Sequence, residues 1–254
     1  MKKIKIFLYI IFCIFLAACA KKAEENSSPS SNHAEATSAD AAATAANNDV
    51  AMDEKLGTKW GDDINSSVTE VDYERKSNTP IAETQVQYAD KQYEGKAIQG
   101  ISVAGGKVSF TIIDDRGDPI PLYRVGQNYY LAGREGQSYQ LHYENNTSKT
   151  FEIVTSVDGV DVINGREASR SNSGYVLHAH DTLTIEGFRK SADAVASFTF
   201  SKPEESYAAN SDHGSIYNAG VIGTVVYELK VPEDEAKAIN KYAPPPNAFP
   251  ADKN

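Results

Sequence analysis

Two histidines one residue apart, His178-Ala179-His180, followed directly by Asp181, are the sharpest chemical constellation in this chain. On a strand, residues i and i+2 point to the same side. Two imidazoles so placed can share a metal ion, with His142, His213, Asp181 or Asp212 as further ligands. No spacing fixes a third ligand, and a polar turn or wet sheet face accounts for the same residues. Asp212-His213-Gly214-Ser215 contains the residue types of a catalytic triad, but a contiguous run cannot fold back on itself to align them. The chain has no Gly-x-Ser-x-Gly elbow. Asp114-Asp115-Arg116-Gly117-Asp118 resembles the start of a calcium loop but lacks the remaining spacing and the terminal Glu. Acidic residues are abundant, yet nothing selects a pair for glycoside chemistry. The sequence therefore selects no catalytic residue and implies no cofactor. Metal binding at His178 and His180 is the one chemical expectation.

Composition narrows the classes further. The 254 residues carry a formal net charge of −10, with two cysteines and 41% hydrophobic residues. Two cysteines make no disulfide scaffold. The acidic balance argues against a nucleic-acid partner, and a mean hydropathy of −0.45 argues against a multi-span membrane protein.

The positioning elements begin with an address. Met1-Lys2-Lys3-Ile4-Lys5 is a basic leader, and Ile6 to Leu16 is an apolar run that reads as a secretory core rather than a membrane span. Leu16-Ala17-Ala18-Cys19 resembles the bacterial lipobox. The resemblance implies cleavage before Cys19 and lipidation of that thiol, making residues 1–18 a signal peptide. Several acyl chains make a stable anchor where one is marginal. Ala20 follows Cys19, and by resemblance to enteric lipoproteins this favours the outer membrane. Cys13 leaves with the leader, so the mature chain has no free thiol. Losing Lys2, Lys3 and Lys5 leaves 22 basic against 35 acidic residues, a net charge of −13.

Residues 19–55 are rich in Ala, Ser, Asn and acidic residues, with Val50 and Met52 the only large apolar side chains. Such a segment cannot offset its ordering entropy and is expected to be a disordered tether, with a reach of roughly 30–36 Å. Residues 56–96 are polar and contain the only tryptophan, Trp60. Ser67–Tyr73 and Ala82–Tyr88 alternate as strands do, and the segment reads as an N-terminal extension packing on the main domain.

Residues 97–231 carry dense strand signals: Lys107–Asp114, Ile120–Val125, Tyr129–Ala132, Ser138–Glu144, Phe151–Val157, Val160–Ile163, Gly174–Leu177, Thr182–Ile185, Val195–Phe200 and Val221–Val231. Asp158-Gly159 and Asn164-Gly165 mark hairpin turns. Short strands at this spacing, without a long helical pattern, predict an all-β protein, an antiparallel β-sandwich, with a partly closed β-barrel as the alternative. Ala208–Asn210 and Glu233–Asn240 read as short helices. The Pro-rich residues 232–254 read as an extended tail. Fourteen tyrosines, many beside strands, suit half-buried sheet positions and interfaces.

Several stretches resemble an uncharacterised family of bacterial secreted proteins and lipoproteins. They are Leu56-Gly57-Thr58 with Trp60-Gly61; Ser67-Val68; Tyr73-Glu74-Arg75; Arg134–Leu141; Ser156-Val157-Asp158-Gly159-Val160-Asp161-Val162; Gly174-Tyr175-Val176-Leu177; Ile185-Glu186-Gly187-Phe188-Arg189-Lys190-Ser191; Val195-Ala196 with Phe198–Phe200; Ser206–Ala209; and Asn218–Gly223. The resemblance covers roughly residues 56–230 and carries no activity or ligand with it. Where it implies a Pro-Gly type turn, this chain has His178–Asp181, so any histidine chemistry here is private to this chain.

The motif residues themselves read as structural. Asp158, Gly159, Asp161, Gly165, Gly187, Arg189, Gly220 and Gly223 are turn, close-approach or buried polar positions, with an Asp–Arg bridge across the sandwich end as one arrangement. The functional expectation is an outer-membrane-anchored lipoprotein acting as a non-enzymatic binding or envelope-structural module. It would contact the membrane through the lipid on Cys19 and bind a protein or envelope component, not nucleic acid. A lipid-anchored inhibitor or immunity-type protein, and a metal-dependent envelope enzyme using His178 and His180, are the alternatives.

Overall fold

The structure, a computed structural model, describes residues 50–231. The expected signal peptide, Cys19, most of the tether, the helix at 233–240 and the Pro-rich tail lie outside the described residues. Sixteen strands follow one another: β1 (Gly57–Asn65), β2 (Glu74–Arg75), β3 (Ala82–Ala89), β4 (Lys96–Ile98), β5 (Ile101–Val103), β6 (Val108–Ile113), β7 (Leu122–Val125), β8 (Asn128–Ala132), β9 (Ser138–Asn145), β10 (Phe151–Val157), β11 (Val160–Asp161), β12 (Tyr175–Leu177), β13 (Thr182–Ile185), β14 (Gly187–Arg189), β15 (Ala194–Ser201) and β16 (Val221–Lys230). The only helical pieces among the described residues are single 3₁₀ turns, one of them at Ala208–Asn210.

The strands form a sandwich of two sheets. The smaller runs β1-β15-β9-β6-β5, with β13 on β9 and β14 on β15. The larger runs β11-β10-β16-β3-β8-β7-β4, with β12 on β10 and β2 on β16. Among the described residues neither sheet closes into a barrel. Pairing among the described residues is antiparallel except for β3 and β8, which run parallel from Val86↔Tyr129 to Ala89↔Ala132. The segment read as a packing extension is built into both sheets. β1 pairs with β15, Gly57 opposite Ser201, and β3 lies between β16 and β8. Ser67–Tyr73, in contrast, forms no strand.

Period-two alternation decides what each strand buries. On β9, Tyr139, Leu141 and Tyr143 are fully buried, while Gln140, His142 and Glu144 turn outward. On β10, Phe151, Ile153 and Val157 enter the core, as do Ile222 and Val226 of β16. Tyr139 stacks on Phe198 and Phe200, at centroid distances of 5.2 and 4.3 Å. Each fully buried ring of this size contributes about 1.5–3 kcal/mol. A Cβ on Gly187 would lie 2.0 Å from the Ala196 carbonyl oxygen, which is how β14 approaches β15 closely enough to pair.

Candidate binding face

The turn after β10 is the most constrained polar feature. Asp158 is fully buried and holds φ 54°, next to Gly159 at φ 74°. Its carboxylate accepts from the Thr58 backbone N–H at 2.7 Å, the Gly220 N–H at 2.8 Å and the Tyr88 hydroxyl at 2.6 Å. Tyr88 has one proton, and it points at Asp158. Thr58 Oγ1, 2.7 Å from both Tyr88 Oη and Tyr139 Oη, must then donate to Tyr88 and accept from Tyr139. The result is a directed chain, Tyr139 to Thr58 to Tyr88 to Asp158, inside the core. Burial pushes the Asp158 carboxyl up to about 6, against the pull of its hydrogen bonds. Burial also raises the Tyr88 hydroxyl well above its ordinary value, with the Asp158 charge adding to it. A second core hydroxyl group, Tyr143 Oη, lies 2.8 Å from Thr224 Oγ1 and 3.2 Å from Thr155 Oγ1.

Among the described residues no arginine reaches Asp158. The expected Asp–Arg bridge is replaced by backbone and phenol donors, which satisfy a carboxylate without a second buried charge. Arg189 instead donates from Nε to Tyr175 Oη at 3.0 Å and from its guanidinium to the Ser66 carbonyl at 2.5 Å. Asp161 accepts from the backbone N–H groups of Ile163 and Asn164, both at 2.9 Å, and from Asn172 Nδ2 at 2.9 Å. Gly165 and Gly220 hold positive φ of 67° and 92°.

The outer face of the larger sheet carries a trough. Its floor is Val154 and Ser156 of β10, Gly223 and Val225 of β16, and Gln85 of β3, and its wall is the loop at Ala168–Arg170. The volume is about 460 Å³. A Cβ at Gly223 would sit 2.8 Å from Ser156 Oγ, so glycine keeps the floor low. Arg170 reaches over from the wall to Glu83 with two bonds of 2.7 Å. A second groove, of about 510 Å³, continues past β3 to the β7–β8 turn at Gln127 and Asn128. The two share Glu83, Thr84 and Gln85 and so meet over the first half of β3.

The histidine expectation rests on a strand that is not there. Leu177 ends β12 and Thr182 opens β13, so residues 178–181 form the turn between them. His180 holds φ 56°, and its N–H donates to the Thr147 carbonyl at 3.0 Å. The His178 ring meets Tyr73 edge-on at 6.1 Å. The i, i+2 alternation that would align the imidazoles does not apply in this turn. His142 lies on the outer face of the smaller sheet, its Nδ1 2.9 Å from Thr184 Oγ1. Among the described residues no three His, Cys, Asp or Glu side chains gather as a metal ligand set. In the calcium-like loop, Asp114 takes the backbone N–H groups of Arg116 and Asp118 and the Arg116 guanidinium, so an internal cation already occupies it. Ser215 caps the 3₁₀ turn at Ile216–Asn218.

Thr58, Tyr88 and Tyr139 escaped the sequence reading, because nothing local links three residues up to 81 positions apart. The amides of β3 were visible there as the polar half of Ala82–Tyr88, although not as a site. No protein-family model, no curated protein and no solved structure matches this chain.

Proposed function

We propose that this chain is an outer-membrane lipoprotein, anchored through lipid on Cys19, whose sandwich serves as a non-enzymatic binding module for an envelope component. The observation that carries the binding reading is the trough across the larger sheet. Its floor is made low by Gly223 and Ser156, its wall is fixed by the Arg170–Glu83 pair, and it stands open on a face that the core does not need. Leu16-Ala17-Ala18-Cys19 supports the anchor, and attached acyl chains would make it stable.

The anchor is tested by growing cells on an alkyne analogue of palmitate. Label is expected on the wild-type chain and absent from Cys19→Ala, which should also lose membrane partition. An unlabelled wild-type chain refutes the reading. External protease on intact cells, with lysed cells and a periplasmic protein as controls, then assigns the face of the membrane.

A further inference from the structure

The trough is chemically unusual for so acidic a chain. Its charged groups are neutralised from within. Glu83 is held bidentately by Arg170, and the Asp161 oxygens are taken by two backbone N–H groups and Asn172. What remains is uncharged: hydroxyls and Gln85 in the trough, and a set of amides in the groove that continues it. Three of the seven glutamines of the chain, Gln85, Gln87 and Gln127, line the second groove together with Asn128. None of these four side chains hydrogen-bonds to another described residue. Each presents two N–H donors and a carbonyl acceptor. Tyr129, half-buried, closes the groove with an amphipathic ring.

We propose that the trough and the groove that continues it past β3 take a neutral, linear oligosaccharide, held by the amides of Gln85, Gln87, Gln127 and Asn128. The inference rests on the binding-module reading and names its ligand class. Sugar hydroxyls donate and accept at once, which is the complement that free amides need, and ring faces pack on tyrosine. Neutral sugars avoid the repulsion that an anionic polymer would meet from a chain of net charge −10. The two grooves, about 460 and 510 Å³, each fall within the ordinary range for small-ligand sites. The trough also crosses β10, β16 and β3, whereas a peptide recognised by strand addition runs along a strand edge.

The test is calorimetry on the full chain, purified from membranes in detergent, with cellohexaose, chitohexaose and maltohexaose as probes. At least one is expected to bind saturably at millimolar concentration or below. Gln85→Ala combined with Gln87→Ala should weaken it at least about tenfold. Gln140→Ala, on the outer face of the other sheet, should leave it unchanged. These side chains are at the surface, so thermal melting should match wild type in every variant. Absence of binding by all three sugars, or binding indifferent to the β3 substitutions, overturns the proposal. So does retention of an immobilised peptide library that the same substitutions abolish, since it assigns the trough to polypeptide. Because palmitate labelling is read separately, a labelled chain that ignores the sugars refutes the ligand class while the anchor stands. An unlabelled chain refutes the anchor alone.

Discussion

Asp158 should make the protein gain stability from this residue as the solution is acidified, opposite to the usual behaviour of carboxylates. Its folded value of about 6 lies above the ordinary 3.8, so the native state binds the proton more tightly than the unfolded chain. The contribution is fully present below the ordinary value and is lost as pH rises through about 6. With 1.36 kcal/mol per pKa unit, it amounts to about 2–3 kcal/mol between pH 7 and pH 4. The core can receive the proton by reversing the hydroxyl chain. Protonated Asp158 donates to Tyr88 Oη, Tyr88 to Thr58 and Thr58 to Tyr139, whose own proton is then left without an acceptor among the described residues. Asp158→Asn is the reference, because it tolerates positive φ but cannot titrate. It sets an amide N–H against a backbone donor, either Thr58 or Gly220, at a cost of about 1–3 kcal/mol. Other carboxylates, such as Glu228 held low by Lys76 and Lys149, titrate alike in both proteins and cancel. The assay is thermal or urea unfolding followed by circular dichroism at pH 7, 5.5 and 4. The wild-type advantage over Asp158→Asn should widen toward pH 4 by about 2–3 kcal/mol, or roughly 5–10 °C for a domain of this size. A difference that stays flat or narrows refutes the argument.

Two further substitutions test the packing. Gly187→Ala would drive a methyl to 2.0 Å from the Ala196 carbonyl oxygen and force β14 off β15. A loss of more than about 2 kcal/mol is expected in denaturant titration. Tyr143→Phe removes the hydroxyl between Thr155 and Thr224, two buried threonines on neighbouring strands that can still bond each other only after moving. The expected cost is about 1–2 kcal/mol with no change of fold, read from the same titration and an unchanged far-ultraviolet spectrum.

What the sequence made legible was whatever one strand states by itself. Phe151–Val157 and Thr182–Ile185 match β10 and β13 end to end, because apolar runs bounded by Asp-Gly and by turn residues leave no other reading. β1 was missed because Lys59, Gly61, Asp62 and Asp63 have little strand propensity. The segment is an edge strand, bulged between Trp60 and Asp63, and its exposed side can be polar. The parallel pairing of β3 with β8 was illegible for another reason. Period-two alternation reports the face of a strand and says nothing of its neighbour. The same limit hid the core hydroxyl chain. Asp158-Gly159 announced a turn, and turns are ordinarily wet, but the partner Thr58 lies 100 residues away. His178 and His180 fall in the turn between β12 and β13, where the i, i+2 rule of a strand does not align side chains.

The strand order has a kinetic consequence. β16, the last of the described strands, is bonded to β10, β3 and β2, and β1, the first of them, waits for β15. A ribosome that has emitted most of this protein has therefore emitted neither the strand joining β3 to β10 nor a complete smaller sheet. Contacts this distant in sequence form slowly. Neither described sheet can be completed until β15 and β16 arrive, so the early strands wait without their partners.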